Sequence, residues 1–182
     1  AVKDPYKASA SGTIPVAALT GEKTDESMNV TVKLDHAGLD ILTFLTPLVT
    51  NAQGGLDGSL QLKGTAADPQ VYGTLSVDNG SLSIKTVRNP LTQISGQLQF
   101  TGRKAAFSGS AVMDKAKAKN PGKLQIQADA SWQGWEVTSY KGSLVLDHLG
   151  VICPYFTGPL TGNLTVSPGD GMPLLAGTVT ID

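Results

Sequence analysis

The two histidines of this sequence, His36 and His148, each directly follow an aspartate, Asp35 and Asp147. An Asp-His pair can serve acid-base chemistry or hold a metal, but it equally suits a hydrogen-bonded turn after a strand. The single cysteine, Cys153, has no histidine or basic neighbour in sequence to stabilise a thiolate. It reads as a small buried hydrophobe, and it excludes an internal disulfide. Asp57, Asp68 and Asp78 could supply a carboxylate pair, yet each stands beside Gly, Pro or Asn, where turn capping is the simpler role. Lys115, Lys117, Lys119 and Lys123 surround Asn120-Pro121-Gly122 and read as a solvated loop tip, with attraction to anionic headgroups as the alternative. Trp132 and Trp135 flank Gln133-Gly134 at a strand end, where core packing is expected and a binding platform is the alternative. Serine-hydrolase elbows, P-loops, dinucleotide fingerprints and H-E-x-x-H are absent from the sequence. These residues predict no enzyme, no metal site and no cofactor.

The elements that would position them follow a period of two. Met28, Val30, Val32 and Leu34 alternate with Asn29, Thr31 and Lys33; Leu60 and Leu62 alternate with Ser59, Gln61 and Lys63; Leu124 and Ile126 alternate with Gln125 and Gln127. Such alternation gives a strand one apolar and one polar face. Similar candidates are Gly73 to Val77, Ser81 to Thr86, Gln93 to Gly102, Ala105 to Met113, Ser143 to Leu146, Leu160 to Val166 and Leu175 to Ile181. Asn79-Gly80 predicts a two-residue hairpin loop that sets Val77 opposite Leu82 and Leu75 opposite Ile84. Arg103-Lys104 predicts a second, with Phe100 opposite Phe107. Longer connections are expected at 114–123 and 167–171. From Gly38 to Asn51, Leu39, Leu42, Leu45 and Val49 fall near helical spacing around Pro47, predicting one short helix.

The sequence also repeats itself. Leu56, Gly58, Leu60, Leu62, Pro69, Val71, Gly73, Leu75 and Val77 recur as Leu160, Gly162, Leu164, Val166, Pro173, Leu175, Gly177, Val179 and Ile181, each 104 positions on. Leu34-Asp35-His36 recurs as Leu146-Asp147-His148, 112 positions on, so the block 34–77 matches 146–181 with eight residues inserted in the first copy, at the expected helix. Both histidines occupy one repeated position, which favours a structural role, since one catalytic centre needs no second copy.

Composition narrows the class. The chain has 182 residues, 40% hydrophobic and 16% charged, with 21 glycines, 10 prolines and a formal net charge of −1. It carries enough apolar surface to fold, and too little positive charge to make nucleic acid a partner. No apolar run reaches the length of a membrane-spanning helix. A start at Ala1 without Met and a stop in mid-pattern at Asp182 suggest a single segment of a longer repetitive β protein. The pattern predicts an all-β protein whose sheet folds on itself as a sandwich, barrel or trough, and does not choose among them.

The run from Gly55 to Ile84 (GLDGSLQLKGTAADPQVYGTLSVDNGSLSI), followed by PLTQISGQLQF at 90–100, resembles the C-terminal repeats of TamB-type translocation and assembly module proteins, within the AsmA-like group. The segment 42–49 is similar to the short helix of those repeats. The resemblance implies an elongated curled sheet, a β-taco trough with an apolar concave face. It implies a parent anchored in the inner membrane of a diderm bacterium and crossing the periplasm to a BamA-type outer-membrane partner. Moving phospholipid between the membranes and inserting outer-membrane β-barrel clients are the implied activities. No catalytic residue or cofactor comes with the family. The expected groove lining is Val30, Val32, Leu34, Leu60, Leu62, Leu75, Val77, Leu82, Ile84, Ile94, Leu98, Phe100, Phe107, Leu124, Ile126, Leu144, Leu146, Leu164, Val166, Leu175, Val179 and Ile181, because alternation sends these to one face where they could solvate acyl chains. Three functions compete on this basis: a phospholipid-conducting groove, an assembly chaperone that receives client strands by β-augmentation, and a closed β-sandwich adhesin or scaffold.

Overall fold

The computed structural model of the chain describes residues 7–16, 26–113, 121–170 and 172–181, excluding the side chains of Ile41, Leu45 and Cys153. Its elements are β1 (Lys7–Thr13), β2 (Ser27–Gly38), a 3-10 turn (Leu39–Ile41) running into one helical turn (Leu42–Leu45), β3 (Val49–Gln53), β4 (Gly55–Thr65), β5 (Pro69–Ile84), β6 (Leu91–Gly102), β7 (Lys104–Met113), β8 (Gly122–Gln133), β9 (Glu136–Cys153), β10 (Phe156–Ser167) and β11 (Leu174–Ile181). They form one antiparallel sheet in the order β1-β2-β4-β5-β6-β7-β8-β9-β10-β11, with β3 paired to β5 alongside this path. The sheet is not closed. There is no second sheet among the described residues, so the closed-sandwich expectation does not hold. Lys115, Lys117 and Lys119, the tip of the expected basic loop, lie outside the described residues, as does Asp182.

Bulges shape the curl. The register shifts between Leu34 and Ala37 of β2, between Val77 and Leu82 of β5, between Thr92 and Ser95 of β6, and between Leu160 and Gly162 of β10 opposite β9. At these places His36, Asn79, Gln93 and His148 take φ of 54°, 53°, 50° and 50°. A bulge with a left-handed residue adds a kink and extra twist, which folds the strand ends over the inner face.

Asn79 therefore does not turn a hairpin: β5 runs straight through it, and Val77 lies opposite Gly96 while Leu82 lies opposite Leu91. The left-handed conformation that a turn would need is spent on a bulge because β6 and β3 both pair with the segment beyond the kink. The second expected hairpin also shifts. The chain reverses around Gly102, at φ 75°, and Arg103, so Phe100 faces Ala105, and Phe107 faces Leu98. The expected helix shrinks to 39–45; after Pro47 the chain becomes β3.

The two sequence copies share one register. Gly58 pairs with Leu75 as Gly162 pairs with Val179; Gly73 pairs with Leu60 as Gly177 pairs with Leu164. Leu34 faces Gly58 as Leu146 faces Gly162, and after the bulge Ala37 faces Leu56 as Leu149 faces Leu160. A Cβ on Gly58 would sit 2.1 Å from the Thr74 carbonyl oxygen, and one on Gly177 2.1 Å from that of Asn163. With φ of 145° and 147°, only glycine fits this close crossing.

Few apolar side chains are buried among the described residues, and six of them (Leu91, Ala111, Met113, Leu124, Leu146, Leu149) form one cluster. Met113 is fully buried, and its Sδ accepts the Gly150 N–H at 3.2 Å. The segment after β5 crosses to β9: Val87 bridges Val151, Arg88 N–H donates to the Gly150 carbonyl at 2.9 Å, and Ile152 N–H to the Thr86 carbonyl at 2.8 Å. Strands β6, β7 and β8 are thus a floor, with β5 and β9 as walls that meet at this end.

Candidate functional site: the apolar inner face

Directly paired residues of an antiparallel ladder point to the same side of the sheet, so the register decides which side chains share the inner face. Leu34 leads through Gly58, Leu75, Leu98, Phe107, Ala128 and Gly142 to Val166 and Leu175. A second row runs Leu56, Val77, Gly96, Gly109, Ile126, Leu144, Leu164, Gly177 by the same pairings. The outer face carries Gln97, Gln99, Ser108, Gln127, Asp129 and Lys141, with Lys141 Nζ 3.5 Å from the Asp129 carboxylate.

All 22 lining positions expected from the sequence fall on this inner face, at different depths. Leu124 and Leu146 are buried in the cluster that seals one end, and Leu82, Ile84, Ile94, Ile126, Leu144 and Leu164 pack against it. Leu175, Val179 and Ile181, on edge strand β11, are exposed. The remainder, including Val30, Val32, Leu60, Leu62, Leu98, Phe100 and Phe107, are half-buried. A cavity of about 300 Å³ opens on the floor, lined by Leu98, Phe107, Ile126, Tyr140, Leu144 and Val166. The Phe107 ring covers the cross-strand glycines Gly96 and Gly109, and the bare backbone under the ring leaves the floor shallow there. Tyr140 and the cluster residues Leu91, Met113 and Leu149 escaped the sequence reading, although Tyr140 continues the alternation of Gly142 and Leu144 backward.

The other end of the groove is clasped by polar groups. Trp135 Nε1–H donates to the Ala66 carbonyl at 2.8 Å, Trp132 Nε1–H to that of Pro69 at 3.4 Å, and Trp132 N–H to that of Arg103 at 3.1 Å. The Asp68 carboxylate accepts from Arg103 Nε at 2.8 Å and pairs with its Nη2. Asp68 thereby caps more than its own turn: Arg103 holds its carboxyl below the ordinary 3.8, and Asp68 in return raises the guanidinium pKa. Trp132 meets Phe100 edge-on at 6.2 Å, while Trp135 is 74% exposed, so Trp135 is a clasp and not the packed core residue expected.

The two Asp-His pairs stand at equivalent bulges. His36 N–H donates to Asp57 Oδ1 at 2.8 Å, and His148 N–H to Thr161 Oγ1 at 3.1 Å; each Nδ1 lies against the preceding aspartate, at 3.3 and 2.5 Å. Asp57 and Thr161 are also 104 positions apart, so both copies cap the bulge with the same backbone donor. Asp57 is thus a bulge cap inside β4 and Asp78 part of the β5 bulge, where turns were expected. Asp35, His36 and Asp57 place three ligand-type atoms within 4.8 Å of one another on the surface.

The sheet is open, with a polar outer face and an inner face whose apolar side chains are mostly half-buried, and it forms an extended surface and not a point-like pocket. The profile of the TamB C-terminal domain matches residues 4–182, and the chain belongs to that family. It is similar to Protein TIC236, chloroplastic, of Arabidopsis thaliana, with 29% identity over 103 residues, 56% of this chain and 5% of that protein. The chain thus spans a small fraction of that relative. No solved structure matches it significantly. No helix among the described residues is long and apolar enough to cross a membrane.

Proposed function

We propose that this segment shelters phospholipid acyl chains on its inner face as they pass between the inner and outer membranes, as part of a periplasmic parent anchored in the inner membrane and engaging a BamA-type outer-membrane partner. The observation that carries this reading is the inner face of half-buried Leu, Val, Ile and Phe, interspersed with glycine and alanine, around the floor cavity of about 300 Å³. Each acyl methylene that this face removes from water is worth about 0.8 kcal/mol before ordering costs. Contacts of this kind are non-directional, which suits cargo that slides. The reading assigns the chain no catalytic step, cofactor or nucleic acid.

Organic extraction of the purified chain, followed by mass spectrometry, tests it. Phospholipid near stoichiometry, displaced by added fatty acid, is the expected result; lipid-free protein that also ignores added fatty acid would overturn it.

A second reading, an assembly chaperone that receives strands of outer-membrane β-barrel clients by β-augmentation, rests on the sheet being open, since an open sheet has edge strands that can pair with a further strand.

A further inference from the structure

The two Asp-His bulges meet the same structural need, and one of them carries more than that need requires. At the bulge of β9 the His148 N–H is capped by the Thr161 hydroxyl, a single neutral acceptor. At the bulge of β2 the equivalent N–H is capped by Asp57, which adds a carboxylate and a negative charge that capping does not call for. That carboxylate stands 3.0 Å from His36 Nδ1, and the Asp35 carboxylate stands 3.3 Å from the same nitrogen. Gly55 leaves bare backbone beside the ring. A Cβ there would lie 3.4 Å from His36 Cβ and Cδ2, and the repeat has Pro159 at this place, 104 positions on.

We propose that Asp35, His36 and Asp57 form a surface site for a divalent transition-metal ion of the zinc type. His36 Nδ1 and one oxygen of each carboxylate would be its protein ligands, with water completing the shell. A tetrahedral zinc ion with bonds of about 2.0 to 2.1 Å holds its ligand atoms about 3.3 Å apart, close to the separations seen around Nδ1. The three ligand atoms lie within 4.8 Å of one another, and their side chains are at least 45% exposed, so rotation about exposed bonds closes the set. An imidazole with two carboxylates suits zinc and its neighbours, whereas magnesium and calcium seek six or more oxygens. Asp35 and His36 belong to β2 and Asp57 to β4, facing each other across the register shift between Leu34 and Ala37. An ion held by all three ties these strands together at the kink and fixes the curl there.

The test is calorimetric titration of zinc chloride into the untagged, metal-free chain, with thermal unfolding followed in parallel. Binding of one ion and a rise of Tm with added zinc are expected. Asp57→Thr installs the cap of the second copy, so it should stay folded by circular dichroism and lose at least about tenfold in affinity, the least that removing even an outer partner of a metal ligand costs. Asp35→Asn, which leaves the cap untouched, should lose a similar factor. His36→Gly, which accommodates the φ of 54°, should abolish binding, whereas His148→Gly should leave it unchanged. No zinc binding by the unsubstituted chain, or undiminished affinity in Asp35→Asn and Asp57→Thr, would overturn the site. Binding lost in His148→Gly and kept in His36→Gly would overturn it as well.

Discussion

Placing a carboxylate on the groove floor, by Leu98→Asp, separates an open lining from a sealed core. Leu98 is half-buried, and the cavity beside it is bounded by Phe107, Ile126 and Leu144. Without cargo, water reaches the new carboxylate, so the chain loses only the apolar burial of one side chain, about 1 to 2 kcal/mol, and stays folded. With cargo, an acyl chain must either desolvate the charge or avoid this stretch. Stripping water from a polar group costs at least about 2 kcal/mol, and a charge more, so affinity should fall at least thirtyfold. The control is Leu146→Asp, on the same face but buried in the end cluster, where an unpaired charge has no water to hydrate it. Equilibrium titration with a fluorescent fatty acid reads affinity, and urea unfolding reads stability. Loss of binding in a folded Leu98→Asp, with Leu146→Asp unfolded, is the expected pair. If Leu98→Asp unfolds like its control, or folds and binds cargo as before, the reasoning fails.

Met113→Ala should destabilise the chain by about 2 to 5 kcal/mol in urea, because it empties the centre of the end cluster, whereas Leu62→Ala on the half-buried wall should lose under half as much. Because Arg103 depresses the Asp68 pKa, the clasp contributes stability above the unfolded pKa near 3.8 and loses it as pH falls through the still lower folded value. Tryptophan emission should therefore be flat from pH 5 to 8 and shift only below about 4, and Asp68→Asn should remove the shift. Gly58→Ala should cost more than about 2 kcal/mol despite removing no contact, since its Cβ would strike the Thr74 carbonyl. His148→Gly should be close to neutral and His148→Val destabilising by about 1 kcal/mol, if the left-handed bulge is what the position requires.

The faces of the strands were legible because alternation of Leu and Val with Gln, Ser and Thr survives any error in strand ends. All expected lining residues shared one side for that reason, even where both hairpins were misplaced. Turn chemistry was less informative: a left-handed Asn79 serves a bulge as well as a hairpin, and only the strands flanking it decide. Strand β1, KASASGT, has alternation without hydrophobicity, so its sequence carries no burial signal. The clasp was invisible because Ala66, Asp68, Arg103 and Trp135 meet only once the sheet has curled. The depth of each lining residue was hidden for the same reason. Leu98 and Leu146 look alike in sequence, and only the crossing of Val87 to Val151 makes one floor and the other core.

Site-directed spin labels on the inner face test the central claim most directly. Labels at Leu98, Leu62 and Leu75, set against one at Leu146, would report oxygen and water access with and without added phospholipid. Labels at the first three positions reachable by a water-soluble relaxant, and shielded once lipid is added, are the predicted result. Labels shielded from the start and indifferent to lipid would mean a dry interior that carries nothing.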